Sequence, residues 1–187
     1  RQAGIARVCG GHPFSLMDGA DLVCPSGGVP LDLPLVVEAL HRGIPLSNDS
    51  QIFLEAAPCR VIGITGSAGK TTTTTLVGRI AQAEFGAANR LGKGYVGGNI
   101  GNPLISMVDE MTVDDLVIME LSSFQLEIMT ISPQVAAILN ITPNHLDRHR
   151  TMAAYSQAKA KILAFQDADG IAVLNRDDPG SWDMRHQ

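Results

Sequence analysis

The stretch VIGITGSAGKTT, residues 61–72, decides the fold. Residues 61–65 form a short apolar run of strand-forming side chains, and residues 71–85 have helical spacing. Between them lies a turn with two glycines, which lets the backbone bend tightly and direct its N–H groups at an anion. Because the N-terminus of the following helix adds partial positive charge, this order of strand, loop and helix predicts a phosphate-binding loop.

The loop has the sequence G-x-x-G-K-T, which suits the phosphates of ATP. In such loops the lysine, here Lys70, reaches the β- and γ-phosphates, and the next hydroxyl, here that of Thr71, binds Mg²⁺. The usual eight-residue signature has a glycine where this chain has Ile64, so the match is to a variant. The residues predicted to contact ATP are Gly66, Ser67, Ala68, Gly69, Lys70, Thr71 and Thr72.

Short apolar runs alternate with helical patterns along the chain, which is typical of a mostly parallel sheet with helices on both faces. Strands are predicted at residues 21–24, 44–46, 61–65, 115–121, 135–141 and 170–174. Helices are predicted at residues 34–42, 49–57, 71–85, 103–110 and 151–165. Asp49 or Ser50 is expected to cap the second helix, and the glycine-rich residues 86–101 are expected to be mostly loop. The predicted fold class is therefore α/β.

The composition argues against several classes of protein. A net charge of -5 and an aromatic content of 4% disfavour a general nucleic-acid binder, which needs Lys and Arg for phosphates and aromatic rings for bases. No apolar run reaches the roughly 18 residues of a membrane span, and no secretory leader is visible. The 3 cysteines form no C-x-x-C pair, so reduced thiols in the cytoplasm are expected.

Polar side chains also follow two other predicted strands. Glu120 closes the run 115–121, where a carboxylate at the end of a parallel strand can hold the Mg²⁺ of ATP. Ser122 and Ser123 come next and, taken alone, would be turn and capping residues. His145 lies in the turn after residues 135–141, where a lone histidine is more often a surface residue than a ligand.

Lys159 and Lys161 lie in the helix predicted at residues 151–165. From the pattern alone, Lys159 is expected to be a solvated surface lysine. Because positions i and i+2 diverge on a helix, at most one of the two can face a site.

Several segments of the chain together resemble the Mur ligases. They are GITGSAGKTT (63–72), GGNIGNP (97–103), ELSSFQLE (120–127), ILNITPNHLDRH (138–149) and YSQAKAKI (155–162). The most specific is ELSSFQLE, which is similar to the branch of the family that adds D-glutamate to UDP-N-acetylmuramoyl-L-alanine. Other branches, and the folylpolyglutamate synthases, carry different residues after the corresponding glutamate.

The resemblance implies a role for each matching residue. Lys70 and Thr71 would bind the ATP phosphates and Mg²⁺, and Glu120 would hold that metal. His145 would help to ligate a second Mg²⁺, and Lys159 matches a lysine that is carbamylated in the family, so that a cation becomes a carboxylate-like metal ligand. Lys70, His145 and Lys159 would be the catalytic residues, and Asn99, Ser122 and Ser123 would contact the UDP-muramoyl substrate.

The resemblance also implies a reaction. A substrate carboxylate would attack the γ-phosphate of ATP, and the amine of D-glutamate would then displace phosphate from the acyl phosphate. The physical demands of such a reaction are charge neutralisation along the transferred phosphoryl group and alignment of the reacting groups. Lys70, Glu120, His145 and Lys159 are therefore expected to converge on one pocket.

The expected domain organisation follows the family. Residues 1–58 resemble part of a Rossmann-like UDP-binding domain, and residues 59–187 resemble a phosphate-loop ATPase-like central domain. In the first of these, Ser26-Gly27-Gly28 replaces the usual Ser-Pro-Gly turn. No helix is predicted to cover the strand at residues 170–174, so we expect the central domain to be truncated and the C-terminal domain to be absent. The expected protein is a cytoplasmic monomer, and the 187 residues alone are expected to be inactive as a ligase.

Three alternatives stay open at this point. The chain could hold nucleotide without turning it over. It could be another muramoyl-peptide or folylpolyglutamate-type ligase, although ELSSFQLE weighs against that. An unrelated phosphate-loop NTPase would need base-reading motifs that the sequence does not contain.

Overall fold

The computed structural model describes residues 4–87, 91–101 and 103–186. The chain divides into two compact units, Arg1–Ser47 and Asn48–Gln187. The first unit contains a 3-10 helix at Phe14–Met17 and helix α1 at Pro34–His41. Met17, Ala39 and Ile44 form its small apolar core.

The strands predicted at residues 21–24 and 44–46 are wrong in extent, because the structure has only a single parallel bridge between Val23 and Leu46. The N–H of Val23 donates to the carbonyl of Pro45 (3.0 Å), and the N–H of Ser47 donates to the carbonyl of Val23 (3.0 Å). Pro45 and Pro25 have no N–H to donate, so a longer ladder would lack bonds on both sides of the bridge.

The second unit is built on a parallel sheet. Its strands are β1 (Arg60–Thr65), β2 (Gly94–Gly98), β3 (Leu116–Glu120), β4 (Val135–Ile138) and β5 (Ile171–Leu174). The order across the sheet is β2-β3-β1-β4-β5, and every pairing is parallel. The carboxyl ends of all these strands therefore lie along one edge, with the loop after β1 at its centre.

Helices pack on both faces of this sheet. The helices of the unit are α2 (Asp49–Ala56), α3 (Lys70–Ala87), α4 (Ser123–Leu126), α5 (Leu146–His149), α6 (Met152–Ala164) and α7 (Pro179–Trp182), with 3-10 helices at Leu104–Glu110 and Asp183–His186. On one face, Ala81 of α3 packs with Ile64 and Ile118. On the other face, Tyr155 and Ile162 of α6 belong to the larger apolar core. The predicted α/β fold is confirmed.

Three local predictions are corrected. Residues 86–101 are not mostly loop, because β2 forms there as an edge strand, although residues 88–90 lie outside the described residues. Glycine gives that strand no hydrophobic pattern, so only its pairing with β3 reveals it. The cap of α2 is Asn48, whose Oδ1 accepts the N–H of Gln51 at 2.8 Å. A short helix, α7, does follow the last strand.

The domain boundary predicted at residues 58 and 59 stays a prediction. The compact division instead falls after Ser47, and Phe53 of α2 is fully buried in the core of the larger unit. Within the described residues, no helix combines the length and the apolar content that crossing a lipid bilayer requires.

We predict that Gly78→Ala destabilises the protein, although alanine is the better helix former by about 1 kcal/mol. A Cβ at position 78 of α3 would overlap the side chain of Val96 on β2, and a β-branched valine has little freedom to move aside. Overpacking of this kind costs about 1–3 kcal/mol, so the free energy of unfolding in urea should fall.

Gly86→Ala is the matched control, because nothing lies within 4 Å of a Cβ built there on the same helix. It should raise the stability by up to about 1 kcal/mol. In a background that carries Val96→Ala, the overlap is absent, so Gly78→Ala should no longer lower the free energy of unfolding. An increase in stability for Gly78→Ala alone would contradict the close packing of α3 on β2.

Candidate active site

Residues 66–70 connect β1 to α3 at the centre of the carboxyl edge of the sheet. Gly69 has a φ of 79°, a left-handed conformation that glycine adopts without the strain of a Cβ. Within the described residues, no acceptor takes a hydrogen bond from the main-chain N–H groups of residues 69–72. These free amides at the start of an 18-residue helix can bind an anion such as a phosphate group.

Asn140 holds the outer side of this loop. Its main-chain carbonyl accepts the N–H of Ser67 (2.9 Å), and its Oδ1 accepts the N–H of Ala68 (2.9 Å). Its Nδ2 donates to the carbonyl of Ala68 (3.1 Å). The segment that follows β4 therefore fixes the shape of the loop. Asn140 lies in a segment that resembles the family, but a single asparagine after a strand carries no signal of its partner, so its role was not predictable from sequence.

Tyr155 of α6 holds the inner side of the loop. Its hydroxyl lies 3.0 Å from Oγ of Ser67, and Oγ of Ser67 also donates to the carbonyl of Thr142 (2.9 Å). Burial raises the pKa of Tyr155, so the phenol stays protonated and can donate or accept at neutral pH. Tyr155 is a site residue that the sequence pattern did not predict.

Glu120, at the end of β3, faces the start of α3. The side chain is buried, and its Oε2 accepts the hydroxyl of Thr71 at 2.8 Å while its Oε1 accepts Nδ2 of Asn99 at 3.0 Å. The two residues predicted to hold Mg²⁺ beside the phosphates are thus neighbours. Both offer oxygen atoms, which are the ligands that Mg²⁺ prefers. Asn99, predicted to contact the muramoyl substrate, lies against the same carboxylate.

Lys159 is buried beneath the loop, with 1% of its surface exposed. Its amine donates to the carbonyl of Gly66 (2.9 Å) and to Oγ1 of Thr65 (3.2 Å), and it lies 4.9 Å from the ring centroid of Tyr155. The amine of Lys70 donates to the same carbonyl of Gly66 at 3.0 Å. Burial, together with the nearby charge of Lys70, lowers the pKa of Lys159 to about 7.

The expectation from the helical pattern alone, that Lys159 is a solvated surface lysine, is therefore wrong. Lys161 points away from the loop, and its amine donates to the carbonyl of Glu127 at 2.6 Å. Only one of Lys159 and Lys161 therefore faces the loop, as the divergence of positions i and i+2 on a helix predicts. Sequence pattern could not tell which one, because Lys159 lies under a loop formed by residues far away in the chain.

His145 follows β4 and lies on the same edge of the sheet. It adopts a left-handed conformation (φ 52°, ψ 32°), its side chain is exposed, and its ring centroid is 5.1 Å from that of Phe124. The neighbouring Asn144 connects this turn to the loop of residues 66–70 through a long contact from its Nδ2 to the carbonyl of Ser67 (3.4 Å). A left-handed conformation is uncommon for a residue other than glycine and often marks a functional position.

The two predicted substrate serines have partners within the protein. The hydroxyl of Ser122 donates to Oε1 of Gln125 at 2.8 Å and also caps α4 by accepting the N–H of Gln125. The hydroxyl of Ser123 is buried and lies 2.9 Å from Nε2 of His149. Burial lowers the pKa of His149, which favours the neutral ring. Direct contact of these serines with a substrate stays a prediction.

A groove of about 330 Å³ lies beside the loop, on the side of β4 and β5. Gly69 and Thr73 form its wall on the loop side, and Asn140, Val173 and Asn175 form the opposite side. Thr72 lies in the first turn of α3 with an exposed side chain. Within the described residues, no cluster of three His, Cys, Asp or Glu side chains could hold a metal ion. A metal here would need ligands from a bound phosphate or from a modified lysine.

Comparison with known proteins gives a family. The model described as the Mur ligase middle domain matches residues 64–187. A UDP-N-acetylmuramoylalanine--D-glutamate ligase from Clostridium botulinum (strain Loch Maree / Type A3) is 40% identical over 180 residues, which are 95% of this chain and 37% of that protein. The protein of the same name from Pelotomaculum thermopropionicum is 44% identical over 178 residues, which are 95% of this chain and 38% of that protein. The chain thus spans less than two fifths of these relatives.

Solved structures support the same fold. A ligase from Neisseria meningitides, named UDP-N-acetylmuramate:L-alanyl-gamma-D-glutamyl-meso-diaminopimelate ligase (MPL), has a TM-score of 0.57 at 18% identity, over 92% of this chain and 58% of that chain. MurF from Acinetobacter baumannii has a TM-score of 0.52 at 24% identity, over 71% of this chain and 30% of that chain. At these identities the likeness concerns the fold alone.

We predict that the buried amine of Lys159 makes stability depend on pH. The pKa is about 7 in the folded chain and 10.5 for an unperturbed lysine, so between these values the unfolded chain binds more protons. The free energy of unfolding should therefore rise with pH in this window, and the burial cost should be complete below about pH 7. The stability of Lys159→Met relative to the parent protein should therefore be highest at and below about pH 7.

Urea unfolding in CO₂-depleted buffer measures this effect. The stability of Lys159→Met relative to the parent protein should fall by up to about 3 kcal/mol between about pH 7 and about pH 9.5. Lys161→Met, on the same helix, controls for the loss of one lysine. A difference between Lys159→Met and the parent that does not change with pH would contradict the burial of an amine with a lowered pKa.

Proposed function

The chain belongs to the Mur ligase family, and we propose that it is the ATP-binding part of an enzyme that joins D-glutamate to UDP-N-acetylmuramoyl-L-alanine in cell-wall synthesis. The observation that carries this proposal is the convergence of two amines, of Lys70 and Lys159, on the carbonyl of Gly66. The paired Thr71 and Glu120 lie at the other side of the same loop. The choice of D-glutamate rests on ELSSFQLE and on the names of the curated relatives.

The loop and its lysine account for ATP binding. The free amides of residues 69–72 would hold phosphate oxygens, and the amine of Lys70 would leave the carbonyl of Gly66 to reach the β- and γ-phosphates. Thr71 and Glu120 would hold Mg²⁺, which neutralises charge on those phosphates when bound. The groove beside Gly69 is large enough to receive part of the nucleoside.

The reaction we assign is acyl phosphate formation followed by amide formation. A carboxylate oxygen of the muramoyl substrate bonds to the γ-phosphorus of ATP, and the bond to the ADP oxygen breaks. The D-glutamate amine then bonds to the acyl carbon, phosphate leaves, and the amine loses a proton. The task of this chain is to align two anions and to neutralise them, which needs positioned cations rather than a covalent nucleophile.

Lys159 would act after modification. A lysine with a pKa of about 7 has a large neutral fraction at physiological pH, and only the neutral amine can add to CO₂. In that step an N–C bond forms and a proton leaves, which gives a carbamate with two oxygen atoms. The buried cation would thereby become a hard oxygen ligand of the kind that Mg²⁺ prefers, next to Gly66 and within reach of the loop.

The proposal extends to the organisation of the protein. Residues 1–58 would belong to a UDP-binding domain and residues 59–187 to a central ATP-binding domain, in a cytoplasmic monomer. Asn99, Ser122 and Ser123 would contact the muramoyl substrate, after release from Glu120, Gln125 and His149. Because the chain spans 37% of the relative from Clostridium botulinum, we assign ligation to a longer protein and nucleotide binding to this chain.

The test is a chimera in which this chain replaces the matching 37% of that relative. We predict phosphate release with UDP-N-acetylmuramoyl-L-alanine, ATP, Mg²⁺ and D-glutamate, and far less with L-lysine, L-alanine or folate substrates. Lys70→Met in the chimera should lower kcat/KM by at least about tenfold, since one charge-assisted contact to phosphate contributes about 1.5–3 kcal/mol. Lys93→Met, an exposed lysine, is the matched control.

Other outcomes separate the alternatives. ATP binding by calorimetry without phosphate release by the chimera would favour a nucleotide-binding module. Turnover with another amine would favour a different ligase of the same family. Equal activity of the Lys70→Met and Lys93→Met chimeras would contradict the proposal that Lys70 binds the phosphates of ATP.

A further inference from the structure

Phe124, in the one-turn helix α4, is surrounded by side chains of the turn that carries His145. Its ring centroid lies 5.1 Å from that of His145, with an angle of 60° between the rings, and 5.3 Å from that of His149, with the rings parallel to within 5°. The guanidinium of Arg148 lies 5.2 Å from the same centroid. One phenyl ring therefore contacts α5 and the residue that precedes it at several points.

Phe124 is itself held in a fixed place. The ring on which it stacks, that of His149, is buried and lies 2.9 Å from the hydroxyl of Ser123, which precedes Phe124 in the chain. The other neighbour of His149 is the ring of Tyr155, at 5.2 Å. Buried contacts thus fix His149 on two sides, and His149 presents a flat surface against which the phenyl ring of Phe124 is oriented.

His145 has no comparable polar support. Within the described residues, its ring nitrogens have no hydrogen-bond partner, and the side chain is exposed. Histidines that bind metals or other ligands are usually oriented by a hydrogen bond from the second ring nitrogen. Among the described residues, the contact that can restrict rotation of the His145 ring is its edge-to-face contact with Phe124. This contact leaves both ring nitrogens free to bind a ligand.

We propose that Phe124 is a positioning residue that orients the imidazole of His145 for its ligand. The inference rests on the proposed function in one respect, which is that His145 has a ligand at the phosphate loop. An edge-to-face aromatic contact favours one ring orientation by about 2- to 12-fold, the equivalent of its usual 0.5–1.5 kcal/mol. This is sufficient to select one side-chain rotamer of an exposed histidine.

Packing of the apolar core does not explain why position 124 carries an aromatic ring. Phe124 is only half-buried and does not belong to the apolar core clusters among the described residues. A leucine would fill a similar space but offers no ring face or edge. The substitution Phe124→Leu therefore separates the aromatic contact from packing, and Phe124→Tyr retains the aromatic ring as a conservative rescue.

The control for a phenylalanine-to-leucine change is Phe165→Leu. Phe165 is 43% exposed and lies at the end of α6, without an aromatic partner among the described residues. Comparison of thermal unfolding among the variants will show whether each is folded. The first measurement is the NMR spectrum of the histidine ring protons in the metal-free chain, with His145→Asn used to assign the signals, since asparagine tolerates the left-handed conformation.

The Hα–Hβ couplings of His145, assigned in the same way, report its χ1 rotamer without depending on a ring at position 124. The protein itself, Phe124→Tyr and Phe165→Leu should show couplings of one dominant rotamer, with cross-peaks from the His145 ring to the ring at position 124. Phe124→Leu should show averaged couplings while remaining folded. Couplings of the same dominant rotamer in Phe124→Leu would overturn the inference, because the imidazole would then be oriented by something else.

The second measurement is pulsed EPR of Mn²⁺, in place of Mg²⁺, with a non-hydrolysable ATP analogue. A nitrogen signal from His145 should be present in the parent chain, weaker by up to about 12-fold in Phe124→Leu, and recovered in Phe124→Tyr. If the parent chain lacks that signal, the metal role proposed for His145 fails, and the NMR result alone decides the positioning role of Phe124. A signal of equal intensity in Phe124→Leu would contradict the inference.

Discussion

The carbonyl of Gly66 accepts hydrogen bonds from two amines, and the rest of the site depends on that arrangement. Lys70 reaches it from the start of α3 and Lys159 from α6, at 3.0 and 2.9 Å. Two ammonium groups on one buried carbonyl repel each other, and within the described residues no carboxylate forms an ion pair with Lys159. Burial of the Lys159 amine, together with this nearby charge of Lys70, disfavours the charged form and lowers the pKa of Lys159 to about 7. A large fraction of Lys159 is therefore neutral at physiological pH, and a neutral amine can perform chemistry that a charged lysine cannot.

The surrounding fold explains how so many distant residues meet at this carbonyl. All strands of the sheet are parallel, so the segments after β1, β3 and β4 emerge on the same edge. Asn140 supports the loop from the β4 side, and Tyr155 supports it from α6. Tyr155 also contacts His149, which holds Ser123 in the segment after β3. The predicted phosphate loop and the predicted substrate segment are therefore supported by one common group of buried side chains on α5 and α6.

Sequence alone could predict the parts that depend on local patterns. The strand, glycine loop and helix of residues 61–72 each have their own signal, and Glu120 is recognisable as a carboxylate at a strand end. The burial of Lys159 was not predictable from helical periodicity, because the loop that covers it is formed 93 residues earlier in the chain. Strand β2 was missed because its glycines give no apolar alternation, and its existence depends on pairing with β3. Four further site residues could not be predicted from local sequence, because the partner of each lies in another element of the fold. They are Asn140, Tyr155, Phe124 and His149.

The most direct measurement of the central claim is ¹³C NMR of the chain in ¹³C-labelled bicarbonate, with Mg²⁺ and a non-hydrolysable ATP analogue present. If Lys159 is a neutral amine beneath the phosphate loop, it will add CO₂, and one carbamate carbon signal will appear. That signal will be absent from Lys159→Met and retained in Lys161→Met. A parent chain without a carbamate signal, or a signal that survives Lys159→Met, would contradict the account of this site.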